Sequence, residues 1–178
     1  AESIIPAADL SEQISTAGFE ASGTSNMKFG LNGALTIGTM DGANVEMHER
    51  VGADHMFIFG LSAQQVEARK HAGEFNAGPD IAASHRLNDV LQAIRGGVFS
   101  SDDPGRYVGL IDGLIDYDRF LVCADFDAYW DAQARVEAHW HDSKAWWRSA
   151  VLNTARMGWF SSDRTIREYA TEIWKALD

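Results

Sequence analysis

The feature that most constrains the fold is a pair of short apolar, β-prone runs separated by helical patterns. The runs cover positions 35–39 and 55–60, and the second one ends in a glycine. The sequence predicts a helix beginning near Gly42 or Ala43, with Asp41 as a candidate N-cap, and another capped by Ser62. Short apolar strands that alternate with helices are typical of a parallel sheet covered by its crossover helices. The sequence therefore predicts an α/β fold.

Glycine is concentrated early in the chain, where six of the 16 glycines fall between positions 18 and 42. Such density indicates tight turns or a close approach of the backbone to a ligand. Small residues predict a short helix that starts near Thr24 or Ser25, and the N–H groups at its start suit a phosphate. Lys28 follows one turn later. It is either a group that reaches an aldehyde or a phosphate, or a surface lysine.

The second half of the chain is mainly helical. Amphipathic patterns predict helices over positions 81–94, 107–115, 126–140, 143–156 and 163–177. Asp142 or Ser143 and Ser161 or Ser162 are candidate N-caps. We expect the loop 99–106 to be the most flexible connection.

Charge and composition exclude several classes of partner. Fifteen Lys and Arg against 26 Asp and Glu give a net charge of -11, whereas nucleic acids and anionic membranes are bound by a basic surplus. No apolar run approaches the roughly 20 residues that span a bilayer. The single cysteine, Cys123, cannot form an intrachain disulfide and is expected to be buried, which fits a reducing compartment. The histidines show no pair at metal-ligand spacing, so we expect no metal site.

All six tryptophans fall in the C-terminal third of the chain. One hypothesis is a sugar-binding platform, because aromatic rings stack on sugars. The alternative, which we favour, is packing between helices and against the rest of a larger protein, because aromatics at helical spacing usually bury area. The residues are Trp130, Trp140, Trp146, Trp147, Trp159 and Trp174.

A long motif surrounds the lysine. Positions 20–29 read EASGTSNMKF, positions 31–39 read LNGALTIGT, and positions 41–46 read DGANVE. Together with the segments 5–18, 57–60 and 160–166, this motif closely resembles the pyridoxal-phosphate segment of the glycogen (α-glucan) phosphorylases. The resemblance covers nearly the whole chain and is strongest over its first 60 residues.

The resemblance implies a fold and a reaction. The fold is part of the C-terminal Rossmann-like lobe of a GT-B glycosyltransferase over residues 1–106, followed by a helical C-terminal segment of the same lobe over 107–178. The reaction is phosphorolysis of terminal α-1,4-linked glucose, from an α-glucan or maltooligosaccharide, by inorganic phosphate to glucose 1-phosphate. The family also implies a cytoplasmic, allosteric enzyme that is a homodimer when full length. The chain starts without Met at Ala1, so we expect it to be a piece whose partner is the rest of the phosphorylase chain.

The resemblance also assigns site residues. Lys28 would form the Schiff base with pyridoxal 5'-phosphate, and Gly23 and Thr24 would donate backbone N–H groups to the cofactor phosphate. Glu20 would bind sugar hydroxyls through its carboxylate, and Ser22 and Gly23 through their backbone N–H groups. In this family the cofactor phosphate exchanges a proton with the substrate phosphate, and the pyridoxal ring is not the electron sink.

Two residues depart from the family pattern. Phe19 stands where the family usually has a threonine, which places bulk beside Glu20, and Ser25 stands where many members have glycine.

Two other functions stay open. The chain could be a non-catalytic folded fragment or assembly module, or a nucleotide-sugar transferase of the same architecture, although such transferases need no aldehyde-trapping lysine.

Overall fold

A parallel three-stranded sheet lies at the centre of the computed structural model, which describes residues 1–20 and 23–176. The strands are β1 (Leu10–Gln13), β2 (Leu35–Thr39) and β3 (Met56–Phe59), in the order β1-β2-β3. Leu10 lies opposite Leu35, and Thr36 lies opposite Met56. The two predicted strands are confirmed as β2 and β3. The sequence did not predict β1, because its residues have no apolar pattern.

Helices surround this sheet and make up most of the described chain, so the predicted mixed α/β class is confirmed. The α-helices are α1 (Ser25–Leu31), α2 (Ala43–Val51), α3 (Ala63–Ala72), α4 (Gly78–Ala83), α5 (His85–Arg95), α6 (Val108–Asp116), α7 (Val122–His141), α8 (Ser143–Arg156) and α9 (Ser162–Glu168). Short 3-10 turns cover Ile5–Ala7, Ala53–His55 and Met157–Phe160, and a π-helical turn covers Tyr169–Ile173. The helices α1 and α2 are the crossovers that join the three strands.

The helix boundaries correct the sequence prediction in two places. The single helix predicted over 81–94 is two helices, because Ser84 ends α4 and its hydroxyl accepts the Leu87 N–H at the start of α5. The last predicted helix is α-helical to Glu168 and continues as the π-helical turn to Ile173, and its predicted end at Leu177 lies outside the described residues. The caps of α3 and α8 are confirmed at Ser62 and Asp142.

The main hydrophobic core lies between the sheet and the long helices α7 and α8. All five residues of β2 are buried, as expected for the central strand of a parallel sheet. Each fully buried Leu or Ile side chain stabilises the fold by about 1.5–3 kcal/mol, so this contact holds the second half of the chain onto the first. The buried members are Leu35, Ile37, Phe57, Phe59, Ala132, Val136, Trp146 and Ala150. Among the described residues, no helix has the length and apolar character needed to cross a membrane.

Candidate functional site

The predicted site residues that the structure describes follow β1, on the connection that leaves the carboxyl edge of the sheet and on the helix after it. Ligands of open α/β sheets bind at this edge, because the loops and helix starts converge on it. Glu20, Gly23 and Thr24 belong to the connection from β1 to α1, and Lys28 lies on α1 itself. Ser22 lies outside the described residues.

Lys28 lies one helical turn after Thr24, because its backbone N–H donates to the Thr24 carbonyl at 3.2 Å. Its side chain is exposed, and no ion pair within residues 1–20 and 23–176 involves it. The helix α1 begins at Ser25, as the predicted start near Thr24 or Ser25 allowed, and Thr24 is its N-cap residue, but the Thr24 hydroxyl accepts none of the N–H groups of the helix. The N–H groups in the first turn of α1 therefore donate no hydrogen bond to the N-cap side chain.

A buried pair of asparagines fixes the first turn of α1 to the sheet. Asn26 donates from Nδ2 to Asn44 Oδ1 at 3.0 Å, and Asn44 Nδ2 donates to the Thr39 carbonyl at 3.0 Å at the end of β2. Gly23 is buried beside this pair, and a Cβ on it would lie 3.0 Å from Asn26 Nδ2. The asparagine pair therefore sets the position of the backbone that was predicted to contact a phosphate. Both asparagines lie inside the motif quoted above, but their pairing spans 18 residues and has no local signal.

Glu20 is half-buried and is held at two points. Its backbone N–H donates to Asp41 Oδ2 at 2.8 Å, and its Oε2 accepts the Ser15 hydroxyl at 3.2 Å. The predicted role of Asp41 as N-cap of α2 is wrong, because Gly42 occupies the cap position and no side chain caps the helix. The Asp41 carboxylate instead binds the loop that carries Glu20.

The C-terminal helices support α1 from its other side. Thr154 Oγ1 on α8 donates to the Gly30 carbonyl at 3.1 Å, and Asn153 Nδ2 donates to the Ala34 carbonyl at 2.7 Å. Gly30 has no side chain, which lets Met157 approach closely: a Cβ there would lie 2.9 Å from Met157 Cγ. A seven-residue helix is too short to be stable alone, so these contacts keep Lys28 in a helical position.

These residues fit a phosphate-bearing aldehyde. An exposed primary amine without a carboxylate partner can reach a carbonyl group, and backbone N–H groups at a helix start attract a phosphate. Basic residues are scarce in this part of the sequence, because Lys28 is the only Lys or Arg in positions 1–49. Arg50 stacks on Trp159, with its Cζ 3.5 Å from the ring centroid. The described segment thus supplies an anchor and few charges for a second phosphate.

Phe19, next to Glu20 in the sequence, packs its ring against other side chains. Its ring meets the Phe120 ring edge-on at a centroid distance of 5.2 Å, and the Lys70 ammonium lies 3.8 Å from its centroid. It packs on a buried cluster that includes Val66 and Leu121. The bulk of Phe19 therefore joins α3 to the segment before α7.

The tryptophans divide into different environments. Trp146 is 3% exposed and lies in the main core, so the packing hypothesis is confirmed for it. Trp159 lies between the guanidinium groups of Arg50 and Arg164. The remaining four are exposed on or near the helical surface: Trp130, Trp140, Trp147 and Trp174.

Two perturbed groups lie at the start of α7. Burial raises the pKa of the Cys123 thiol to about 12, and Cys123 is buried as predicted. Burial also raises the pKa of Asp125, against the opposing effect of the Leu61 N–H, which donates to its Oδ1 at 2.7 Å. Within the described ranges, no group of three or more His, Cys, Asp or Glu side chains is placed to hold a metal ion.

Comparison with known proteins gives a consistent set of relatives. The family model described as carbohydrate phosphorylase matches residues 1–176. The chain is 53% identical over 176 residues to the brain form of glycogen phosphorylase from Bos taurus, covering 99% of this chain and 21% of that protein. It is 53% identical over 171 residues to glycogen phosphorylase from Synechocystis, covering 96% and 20%. It is 52% identical over 175 residues to glycogen phosphorylase from Pasteurella multocida, covering 98% and 21%. The chain thus spans about a fifth of the length of these relatives.

Proposed function

The chain belongs to the carbohydrate phosphorylase family, and from this premise we propose that it is the cofactor-bearing part of an α-glucan phosphorylase. The observation that carries the proposal is Lys28, exposed on a short helix at the carboxyl edge of a parallel sheet. Relatives that share 52–53% of its residues are named glycogen phosphorylases. An exposed amine beside a helix start is the arrangement that a phosphate-bearing aldehyde requires.

The proposed reaction is phosphorolysis of the terminal α-1,4-linked glucose of a glucan or maltooligosaccharide, with release of glucose 1-phosphate. The cofactor is pyridoxal 5'-phosphate, which, when bound, supplies a phosphate group that exchanges a proton with the substrate phosphate. Inorganic phosphate and the glucan are the other partners. The rest of the longer chain supplies the remaining sugar contacts and the basic groups that this segment lacks.

Each site residue has a separate role in this proposal. Lys28 holds the cofactor through Nζ, and the backbone N–H groups of Gly23 and Thr24 bind its phosphate. The Glu20 carboxylate accepts hydrogen bonds from sugar hydroxyls, and the backbone N–H groups of Ser22 and Gly23 donate to them. The support comes from the fixed backbone at Gly23, beside the Asn26 side chain, and from the two hydrogen bonds that hold Glu20.

The architecture of the whole enzyme is also a proposal. The described sheet and its crossover helices would form part of the C-terminal Rossmann-like lobe of a GT-B fold. Residues 1–106 would belong to the partial lobe, and residues 107–178 would be its helical C-terminal segment. The family further suggests a cytoplasmic, allosterically controlled homodimer.

The attachment at Lys28 can be tested directly. The full-length protein is incubated with pyridoxal phosphate, reduced with borohydride, digested and mapped by mass spectrometry. We expect one modified peptide, carrying the cofactor at Lys28, and no modification or phosphorolysis in Lys28→Ala. Lys70→Ala is the matched control, since Lys70 lies on α3, and it should keep the modification at Lys28. A cofactor fixed at another lysine, or near-normal activity of Lys28→Ala, would contradict the proposal.

A further inference from the structure

Asp41 lies just before α2, but its carboxylate accepts a hydrogen bond from a distant loop and does not cap that helix. Its Oδ2 accepts the Glu20 N–H at 2.8 Å, across 21 positions of sequence, whereas α2 receives no cap from it. The backbone of Asp41 is fixed in turn, because its N–H donates to the Thr39 carbonyl at 3.0 Å. The end of β2 is thus joined through one carboxylate to the loop that carries Glu20.

Gly42 adds a second contact to the same loop. Its φ is +51°, a value that L side chains rarely adopt. A Cβ on Gly42 would lie 2.8 Å from Glu20 Cγ and 3.3 Å from the Glu20 carbonyl oxygen. The space that a side chain would fill at position 42 is therefore taken by the stem of Glu20.

Ser15 completes the support. Its hydroxyl donates to Glu20 Oε2 at 3.2 Å, and its carbonyl accepts the Thr39 hydroxyl at 2.5 Å. Thr39 is therefore the common attachment point: its carbonyl accepts the Asp41 N–H, and its hydroxyl binds Ser15. The backbone, the stem and one carboxylate oxygen of Glu20 are each held from the end of β2 or the turn that follows it.

We propose that Asp41 and Gly42 are positioning residues for Glu20, which set the place of its carboxylate at the sugar. This inference rests on the proposed function, in which that carboxylate accepts hydrogen bonds from glucosyl hydroxyls. Such bonds depend steeply on distance and angle, so a loop that shifts by a fraction of an ångström loses them. Asp41 itself touches neither sugar nor cofactor in this scheme, and it acts only through Glu20.

The experiment is a double-mutant cycle in the full-length protein. Asp41→Ala removes the acceptor, whereas Asp41→Asn keeps an oxygen that can accept the Glu20 N–H. We expect Asp41→Ala to lower kcat/KM for a maltooligosaccharide about tenfold or more, with unchanged cofactor content, and Asp41→Asn to recover most of this loss. In a Glu20→Ala background the N–H that binds Asp41 remains, but the carboxylate that Asp41 positions is gone, so Asp41→Ala should change kcat/KM by less than about twofold.

Asp142→Ala is the matched control. Asp142 also accepts backbone N–H groups, from Lys144 and Ala145, both at 3.1 Å, but it lies at the start of α8. Its removal should reduce stability and leave the kinetic constants for the sugar unchanged.

The outcomes separate the inference from the proposed function. Additive effects of Asp41→Ala and Glu20→Ala overturn the positioning role alone, as does a loss of cofactor content in Asp41→Ala at normal sugar kinetics. Normal sugar kinetics of Glu20→Ala overturn both the positioning role and the proposed sugar contact. Gly42→Ala should resemble Asp41→Ala in its effect on the sugar, and cofactor content shows whether it has folded.

Discussion

Phe19 shows how a single residue that departs from the family pattern is accommodated. The sequence places the bulk of its ring beside Glu20, where the family usually has a threonine. Its observed partners are the Phe120 ring and the Lys70 ammonium, together with a small buried cluster between α3 and the start of α7. The ring therefore stabilises the loop from behind, and the residue that determines where Glu20 lies is Asp41.

The prediction for this residue is a loss of stability without a loss of sugar recognition. Phe19→Ala removes a half-buried ring and one edge-to-face contact, and should lower the free energy of unfolding by about 1–3 kcal/mol. Urea unfolding measures this change, and kcat/KM for a maltooligosaccharide should stay within about threefold. Phe99→Ala is the control, because Phe99 is 68% exposed and should change stability little. A large rise in KM with unchanged stability would place Phe19 in the sugar site after all.

Local patterns could predict some of the site residues and not others. The helix start at Thr24 and the lysine one turn later follow from small residues and helical spacing, both of which are local. The role of Asp41 is different, because its partner lies 21 positions earlier and only the folded sheet brings the two loops together. Its position before a helix favoured a cap, which is the commonest local use of an aspartate.

At the scale of single elements, the contact between β1 and β2 depends on Gly38. A Cβ there would lie 2.5 Å from the Gln13 carbonyl oxygen and 2.7 Å from Asn44 Nδ2. The first of these atoms is backbone in a paired strand, so it cannot move without separating the strands. Gly38 therefore permits both the strand pairing and the asparagine pair that holds α1.

Gly38→Ala should consequently destabilise the protein by about 1–3 kcal/mol or more and weaken cofactor retention. The matched control is Gly113→Ala on α6, where an added Cβ meets nothing within 4 Å. That variant should be neutral or stabilising by up to about 1 kcal/mol, since alanine is the better helix former. Thermal unfolding measures the change in stability of both variants. Equal changes would show that the close contacts at Gly38 do not limit the stability of the protein.

Three elements meet at the buried hydroxyl of Ser149 on α8. His55 Nδ1 lies 2.9 Å from Ser149 Oγ, and His139 Nε2 on α7 lies 3.0 Å from it. A hydroxyl has one hydrogen, so it can donate to one neutral ring while the other ring donates to it. When the His55 ring is protonated, it can only donate to the Ser149 hydroxyl, and His139 is then the one ring of the two that can accept the Ser149 hydrogen.

This arrangement predicts a dependence of stability on pH. Burial lowers the pKa of His55 below 6.5 in the folded state, and the nearby Arg156 and Arg148 lower it further, against the opposite effect of Asp54. The unfolded chain therefore binds more protons, and the free energy of unfolding should fall as pH decreases from about 7 through 6.5 and below. Urea unfolding at several pH values should show a flatter profile for His55→Asn than for the unmutated protein. His85→Asn, at an exposed position on α5, is the control and should keep the slope.

The helix boundaries show which elements periodicity can and cannot define. The caps at Ser62 and Asp142 were predictable, because each side chain binds N–H groups two or three residues away. The apolar pattern over 81–94 continues through Ser84. The helix is nevertheless interrupted there, because the Ser84 side chain caps α5. The strand β1 reads LSEQ and has one buried residue, so pairing with β2 defines it and its own sequence does not.

At the scale of the whole molecule, the scarcity of basic residues in the sequence around Lys28 predicts that the 178-residue chain alone is inactive. Phosphorolysis brings two phosphates together, and like charges in a water-poor site repel strongly unless cations lie nearby. In the proposed function Lys28 is used to attach the cofactor, and the next basic residue along the chain, Arg50, stacks on Trp159. Incubation with cofactor, inorganic phosphate and a linear maltooligosaccharide should yield no glucose 1-phosphate above background. The full-length protein is the positive control, and comparable turnover by the fragment would contradict the prediction.

The contacts between α8 and α1 have a consequence for the order in which the parts of the protein fold during synthesis. The helix that carries Lys28 is only seven residues long, and the side chains of Thr154 and Met157, which contact it at Gly30, come more than 120 positions later. A ribosome therefore releases the lysine segment well before it makes the segment that holds it. Until residue 157 has left the exit tunnel, the lysine lies on a segment that is marginally helical at best. If Lys28 holds the cofactor as proposed, we expect the cofactor to be captured only after the C-terminal helices have been synthesised.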